Sequence, residues 1–167
     1  MDAALAFEEL NTGDIWHSPS RTITETDVVN FAGMTGDYNP LHVDHEFARN
    51  TPFGKPIAHG LLGLSFVAGL ACFSPWVQTA AFVRIVDWKF AKPLYIGDTV
   101  RVRTEVIGKE QRGRRHGLVT WRRELINQAG EVAQVGSFET MVRVAARSNV
   151  LPIRNTEQPE APQSKAA

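Results

Sequence analysis

Between Lys55 and Arg84 the chain has no Asp, Glu, Lys or Arg, and residues 56–83 are its longest uncharged stretch. Such a run either spans a membrane or is buried by the rest of its own chain. Spanning is disfavoured by composition: Pro56 and His59 stand at one end, Ser74-Pro75 at the other, and the apolar part, residues 60–73, is only fourteen residues long. A spanning helix needs about 20. The spacing therefore predicts a core helix over residues 59–73, apolar almost all round, which other elements must enclose.

The enclosing elements lie on its C-terminal side. Residues 82–90, 99–107, 116–127 and 131–144 alternate like strands, and the joints between them carry turn formers: Lys92-Pro93, Gly97-Asp98, residues 108–113, and Asn127 to Gly130. These joints are too short for parallel crossovers, so the strands are expected to run antiparallel. The fold class is α+β, a curved antiparallel sheet of about five strands wrapped around the apolar helix. Upstream, Thr24 and Asp27 have capping-box spacing, which predicts a helix over residues 25–32 ending at Gly33. Residues 34–41 are expected to form a loop, a short helix to start near Asp44, and residues 51–56 to form a second loop.

At 167 residues and 18.5 kDa the chain has the size of one domain, assigned to residues 1–147. Residues 148–167 hold three prolines and few large hydrophobes, and are expected to be a disordered tail. Eighteen basic residues against eighteen acidic ones leave no net field to hold nucleic acid or an anionic membrane. The lone Cys72 cannot form an intrachain disulfide, and the acidic N-terminus MDAALAFEEL lacks the charge and apolar core of a leader. Both features point to a reduced, unprocessed, cytoplasmic protein. Neither GxGxxG nor GxxxxGK[ST] occurs, so nucleotide-cradling loops of those kinds are not encoded.

Chemistry concentrates in residues 35–48, where Asp37, Asn39 and His42 fall within six positions. On an unbroken helix Asp37 and His42 would point about 140° apart, so convergence requires a turn, which Asn39-Pro40 supplies. A carboxylate and an imidazole facing one small pocket can hold a water, one group withdrawing a proton and the other delivering one. Taken singly, an Asp in such a stretch is more often a turn cap and a His more often a surface or structural residue. The pair on one loop, ahead of an apolar helix, carries the functional reading.

Gly36-Asp37-Tyr38-Asn39-Pro40-Leu41-His42, with Ala48 after five intervening residues and Phe31 upstream, closely resembles the hydratase motif of the MaoC-like (R)-specific enoyl-CoA hydratases, which have a hotdog fold. Phe53-Gly54-Lys55-Pro56-Ile57-Ala58-His59-Gly60 is similar to that family's second motif, at the entrance to its central helix. The resemblance implies that Asp37 and His42 activate the water added across a 2-enoyl thioester, giving a (3R)-3-hydroxyacyl-CoA. It also implies that Gly60 offers its backbone N–H to the thioester carbonyl, a role suited to a helix N-terminus. Asn39 and Pro40 would shape the loop. Where relatives often carry a serine eight residues after the glycine, this chain has Ala68, and Ser65, almost one turn earlier, is the candidate replacement.

The reaction so implied needs no metal or redox cofactor, since coenzyme A enters as part of the substrate. The reverse dehydration, on a branched or dicarboxylic acyl-CoA, is the alternative; a hotdog thioesterase or a non-catalytic acyl-CoA-binding subunit ranks lower. A homodimer or higher homo-oligomer is expected, because one wrapped sheet leaves an open edge, and the resemblance implies coenzyme A near the subunit interface. Arg112, Arg114 and Arg115 form a basic cluster that could meet its phosphates, although a solvated turn explains them as simply. His42 and His45 lack further ligands at a recognised metal spacing. His59 is expected to orient the turn before the apolar helix, Cys72 to be a small buried residue, and Phe82, Trp88, Phe90, Trp121 and Phe138 to be core or interface.

Overall fold

The computed structural model describes residues 3–145. Two short strands, β1 (Ile15–His17) and β2 (Arg21–Thr22), precede the helices α1 (Glu25–Thr35), α2 (Pro40–Val43), α3 (His45–Arg49) and α4 (Gly60–Leu70). Four long strands follow: β3 (Thr79–Phe90), β4 (Thr99–Gln111), β5 (His116–Ile126) and β6 (Val132–Arg143). The sheet order is β1-β4-β5-β6-β3, with β2 also on β4, and every pairing between these strands is antiparallel. The expected wrapping of a sheet around a helix is therefore observed, with six strands where about five were anticipated. The additional pieces are three and two residues long, too short to impose a period of two on the sequence.

Helix α4 meets the sheet through β4 and β5. Its Leu62, Phe66 and Val67 enter a core with Val100, Val102, Val106, Trp121, Leu125 and Phe138. Enclosure is one-sided, which corrects the expectation of a helix covered all round. Gly60, Leu61, Ser65, Ala68 and Gly69 are exposed, and Leu61 keeps 57% of its surface open. Cys72 is exposed as well, not buried, because α4 ends at Leu70 and the thiol lies in the turn beyond it. Helix α1 runs past Gly33 to Thr35 and is terminated by Gly36, at φ 77°, a left-handed conformation that a residue with a Cβ adopts at a cost. Part of the anticipated loop at residues 34–41 is consequently helical.

Strand β3 forms one end of the five-strand order and pairs only with β6. Its apolar side chains are open on both faces: Phe82, Val83, Ile85, Val86 and Phe90 are each 41–53% exposed. Trp121 and Phe138 are core, as one of the two alternatives for the aromatic residues required. Among the described residues no helix is long and apolar enough to cross a membrane. The tail assigned to residues 148–167 lies outside the described residues.

Candidate active site

The site begins with the anchoring of α1. The Thr24 hydroxyl accepts from the Asp27 N–H, the Asp27 carboxylate accepts from the Thr24 N–H at 2.8 Å, and Arg21 donates to the same carboxylate at 2.7 Å. After Gly36 reverses the chain, Asp37 Oδ1 accepts from the Asn39 N–H at 3.3 Å, and Asn39 Oδ1 accepts from the Leu41 N–H at 2.9 Å. Asn39 is thus the N-cap of α2, with Pro40 at its first turn, where a missing N–H costs nothing. These local bonds make the turn that brings His42 round toward Asp37.

His42 Nδ1 lies 2.7 Å from the Ile57 carbonyl oxygen. A carbonyl can only accept, so Nδ1 carries a proton, and in the neutral ring Nε2 keeps a lone pair. His59, 2% exposed, stands at the N-cap of α4. Its Nε2–H donates to the Asp37 carbonyl at 2.9 Å, and its ring stacks against His42 with centroids 3.8 Å apart and packs on Phe31 at 5.1 Å. Asp37, His42 and His59 each place one nitrogen or carboxylate oxygen within 4.8 Å of the others. His45 instead reaches Glu25 at 3.2 Å.

The function expected of His59 is accordingly revised. Its ring does not cap its own turn; it clasps the backbone of the Asp37 loop, twenty-two residues away. With no side-chain cap, the first helical bonds of α4 run from the Leu62 and Gly63 N–H groups to the His59 carbonyl, so the Gly60 and Leu61 N–H groups precede the helical ladder. A pocket of about 290 Å³ opens there, lined by His42, Phe53, Ile57, Gly60, Phe90 and Lys92 among others. His42 and an open positive helix end share one concavity, with the Asp37 carboxylate within 4.8 Å of the imidazole, an arrangement suited to adding or removing a proton next to a carbonyl that gains negative charge.

The remaining candidates are not all brought together. Ser65 is exposed on the same side of α4 as Ala68, and its hydroxyl donates to the Leu61 carbonyl at 2.9 Å. Arg112 pairs with Glu110 at 2.8 Å, while Arg114 and Arg115 border a separate concavity of about 1210 Å³ with Glu8, His116 and Arg143. That end of β5 pairs with the end of β6, whereas Gln134, beside the pocket, pairs with Leu125. This separation of nine positions along the strand puts the arginines roughly 30 Å along the sheet from the pocket of the same protomer.

The described fold, a long antiparallel sheet curved over one apolar helix, is a hotdog fold. It superposes on half of a Mycobacterium tuberculosis protein described as a double hotdog fold, with TM-score 0.76 at 20% identity over 86% of this chain and 46% of that one. The chain belongs to the MaoC like domain family, which it matches over residues 9–129. It is 41% identical to the 3-hydroxybutyryl-CoA dehydratase of Methylorubrum extorquens over 61% of this chain and 64% of that protein. It is 36% identical to the (R)-specific enoyl-CoA hydratase of Rhodospirillum rubrum over 61% of this chain and 69% of that protein. Protein MaoC of Klebsiella aerogenes is 37% identical over 58% of this chain and 29% of its own length. The chain thus spans less than two thirds of the Methylorubrum and Klebsiella proteins. Among solved structures, the monoamine oxidase regulatory protein from Archaeoglobus is similar at TM-score 0.79 and 37% identity, covering 86% of this chain and 97% of that one. Two of these relatives bear the names of a dehydratase and a hydratase acting on CoA thioesters.

Proposed function

We propose that the chain is an (R)-specific 2-enoyl-CoA hydratase with Asp37 and His42 as its acid–base pair. The observation that carries this reading is the pocket lined by both His42 and Gly60, with the Asp37 carboxylate beside it. A water held between Asp37 and the His42 Nε2 lone pair gives up one proton to the pair and adds its oxygen to C3 of the enoyl thioester. Negative charge moves to the thioester oxygen, where the Gly60 N–H and the α4 dipole meet it. The proton then returns from the pair to C2. No oxidation state changes, so the reaction calls for no redox cofactor, and Asp37, His42 and the Gly60 N–H supply the proton transfers and charge stabilisation in place of a metal. Run backwards, the same steps dehydrate a 3-hydroxyacyl thioester.

The names of the hydratase and dehydratase relatives support this reading, as does the hydrogen bond that fixes the His42 tautomer. The test follows the ultraviolet absorbance of crotonyl-CoA together with free thiol. Loss of absorbance without thiol release, with (3R) product, is expected. Asp37→Asn and His42→Ala should each lower kcat by about 10³-fold or more while leaving the fold intact. Near-wild-type hydration by both variants would remove the pair from the mechanism. Release of thiol would indicate a thioesterase, and binding without turnover a binding subunit.

The functional unit is taken to be a homodimer joined edge to edge through β3. The five exposed apolar residues of that strand, and the bare side of α4, are what such a partner would cover. Antiparallel pairing would set the arginine-bearing end of one protomer at the pocket end of the other, where a coenzyme A phosphate could reach it. Sedimentation equilibrium should give a dimer for the wild type and a lighter species for Val83→Asp; a monomeric wild type at working concentration would refute the pairing.

A further inference from the structure

Gln134 of β6 is 2% exposed and both ends of its amide are used. Its Nε2–H donates to the Gly60 carbonyl at 3.0 Å, and its Oε1 accepts from the Trp88 indole N–H at 3.2 Å. The first turn of α4 makes room for it. A Cβ built on Gly63 would sit 2.3 Å from Gln134 Nε2 and 2.8 Å from Leu94, so the helix gives up a side chain where the amide enters. A buried amide is costly to place in a core unless both its ends are bonded, and an aliphatic side chain would fill such a site without that requirement. Here the bonded partner is the carbonyl of the residue proposed to bind the thioester oxygen, in the peptide that follows the one bearing that N–H.

We infer that Gln134 is a positioning residue for the reaction: through the Gly60 carbonyl it fixes the Gly60–Leu61 peptide at the α4 start, and across the Gly60 α-carbon it restrains the preceding peptide, whose N–H meets the enolate oxygen. The inference rests on the reading of Gly60 given above. The helix start lacks a side-chain cap, so nothing on the His59 side chain fixes those peptides, and the amide of Gln134 supplies the restraint from the sheet. Trp88 holds the other end of the amide. Because Trp88 lies on β3, the open edge strand, the restraint also ties the pocket to the strand through which a second copy would pair.

The test has a spectroscopic and a kinetic arm. Crotonyl-CoA carrying ¹³C at the thioester carbonyl is bound to the Asp37→Asn protein, which holds it without turnover, and the carbonyl stretch is read by infrared difference spectroscopy. A shift to lower frequency on binding is expected, and its loss when Gln134→Met is added. In the otherwise wild-type protein, Gln134→Met should lower kcat for hydration by about 10- to 100-fold with KM within about threefold. Gln134→Glu keeps the shape but loses the donor while ionised; its kcat relative to wild type should recover as pH falls and the carboxyl regains a proton to donate. Trp88→Phe removes the indole N–H together with part of the ring but leaves the Gln134 bond to Gly60, and should fall between wild type and Gln134→Met. If the carbonyl shift and kcat survive Gln134→Met, or the Gln134→Glu ratio does not depend on pH, Gln134 is a packing residue and the inference fails alone. If the Asp37→Asn reference shows no carbonyl shift, the role of Gly60 fails and the inference falls with it.

Discussion

Helices α1 and α4 have the same length, eleven residues, yet they begin in opposite ways. At the start of α1 every ordinary device is present: Thr24 and Asp27 bond each other's backbone N–H, acidic residues occupy the first turn, and Arg21 closes over the carboxylate. At the start of α4 there is no side-chain cap and no acidic residue, and the N-cap position is filled by a buried histidine whose ring serves another loop. A cap of the Ser, Thr, Asp or Asn kind contributes typically about 1 kcal/mol, and α4 forgoes it. The difference teaches where each helix end is used. The α1 start is satisfied internally and holds the scaffold of the Asp37 loop, whereas the α4 start is left with free donors facing a pocket.

Between the two helix starts, the larger effect should come from His59, which replaces a cap at α4 with a clasp on Asp37. In His59→Ala the Asp37 carbonyl loses its donor and the His42 ring loses the surface stacked on it at 3.8 Å. Displacement of a catalytic group by about 1 Å costs on the order of 10²-fold, so kcat for crotonyl-CoA hydration should drop by about that factor. Circular dichroism and a thermal melt establish that the variant is folded. A folded variant with kcat within about threefold of wild type would mean that the ring merely fills space, and the contrast between the two helix starts would lose its functional meaning.

The same contrast marks what could be read from residues alone. The α1 cap was legible because its partners lie three positions apart, and so was the Asp37–His42 turn, because Asn39-Pro40 lies between them. The apolar helix and the four long strands announced themselves by period. Contacts between distant segments left no such trace: His59 to the Asp37 carbonyl, His42 to the Ile57 carbonyl, and Gln134 to Gly60 join residues 22, 15 and 74 positions apart. Hydropathy also does not say whether an apolar surface meets its own chain or remains open. For that reason the bare side of α4, the exposed Cys72 and the identity of β3 as the open edge appeared only with the fold.

The α1 start offers the smallest effect and a test of sign. Burial pushes the Asp27 carboxyl up, but the Thr24 backbone and hydroxyl bonds, together with the Arg21 guanidinium, hold it below the ordinary aspartate value. A carboxyl depressed in the folded state contributes stability in full above its unfolded value, about 4, and loses it as pH falls through the folded value. Asp27→Ala should therefore cost about 1 kcal/mol at neutral pH, with kcat per folded molecule unchanged. As pH is lowered below about 4, the gap in urea midpoint between wild type and variant should close, because the protonated wild-type carboxyl no longer pairs with Arg21. A gap that stayed constant with pH would assign the effect to lost packing, and α1 would then be fastened by contact surface, with its charged cap incidental.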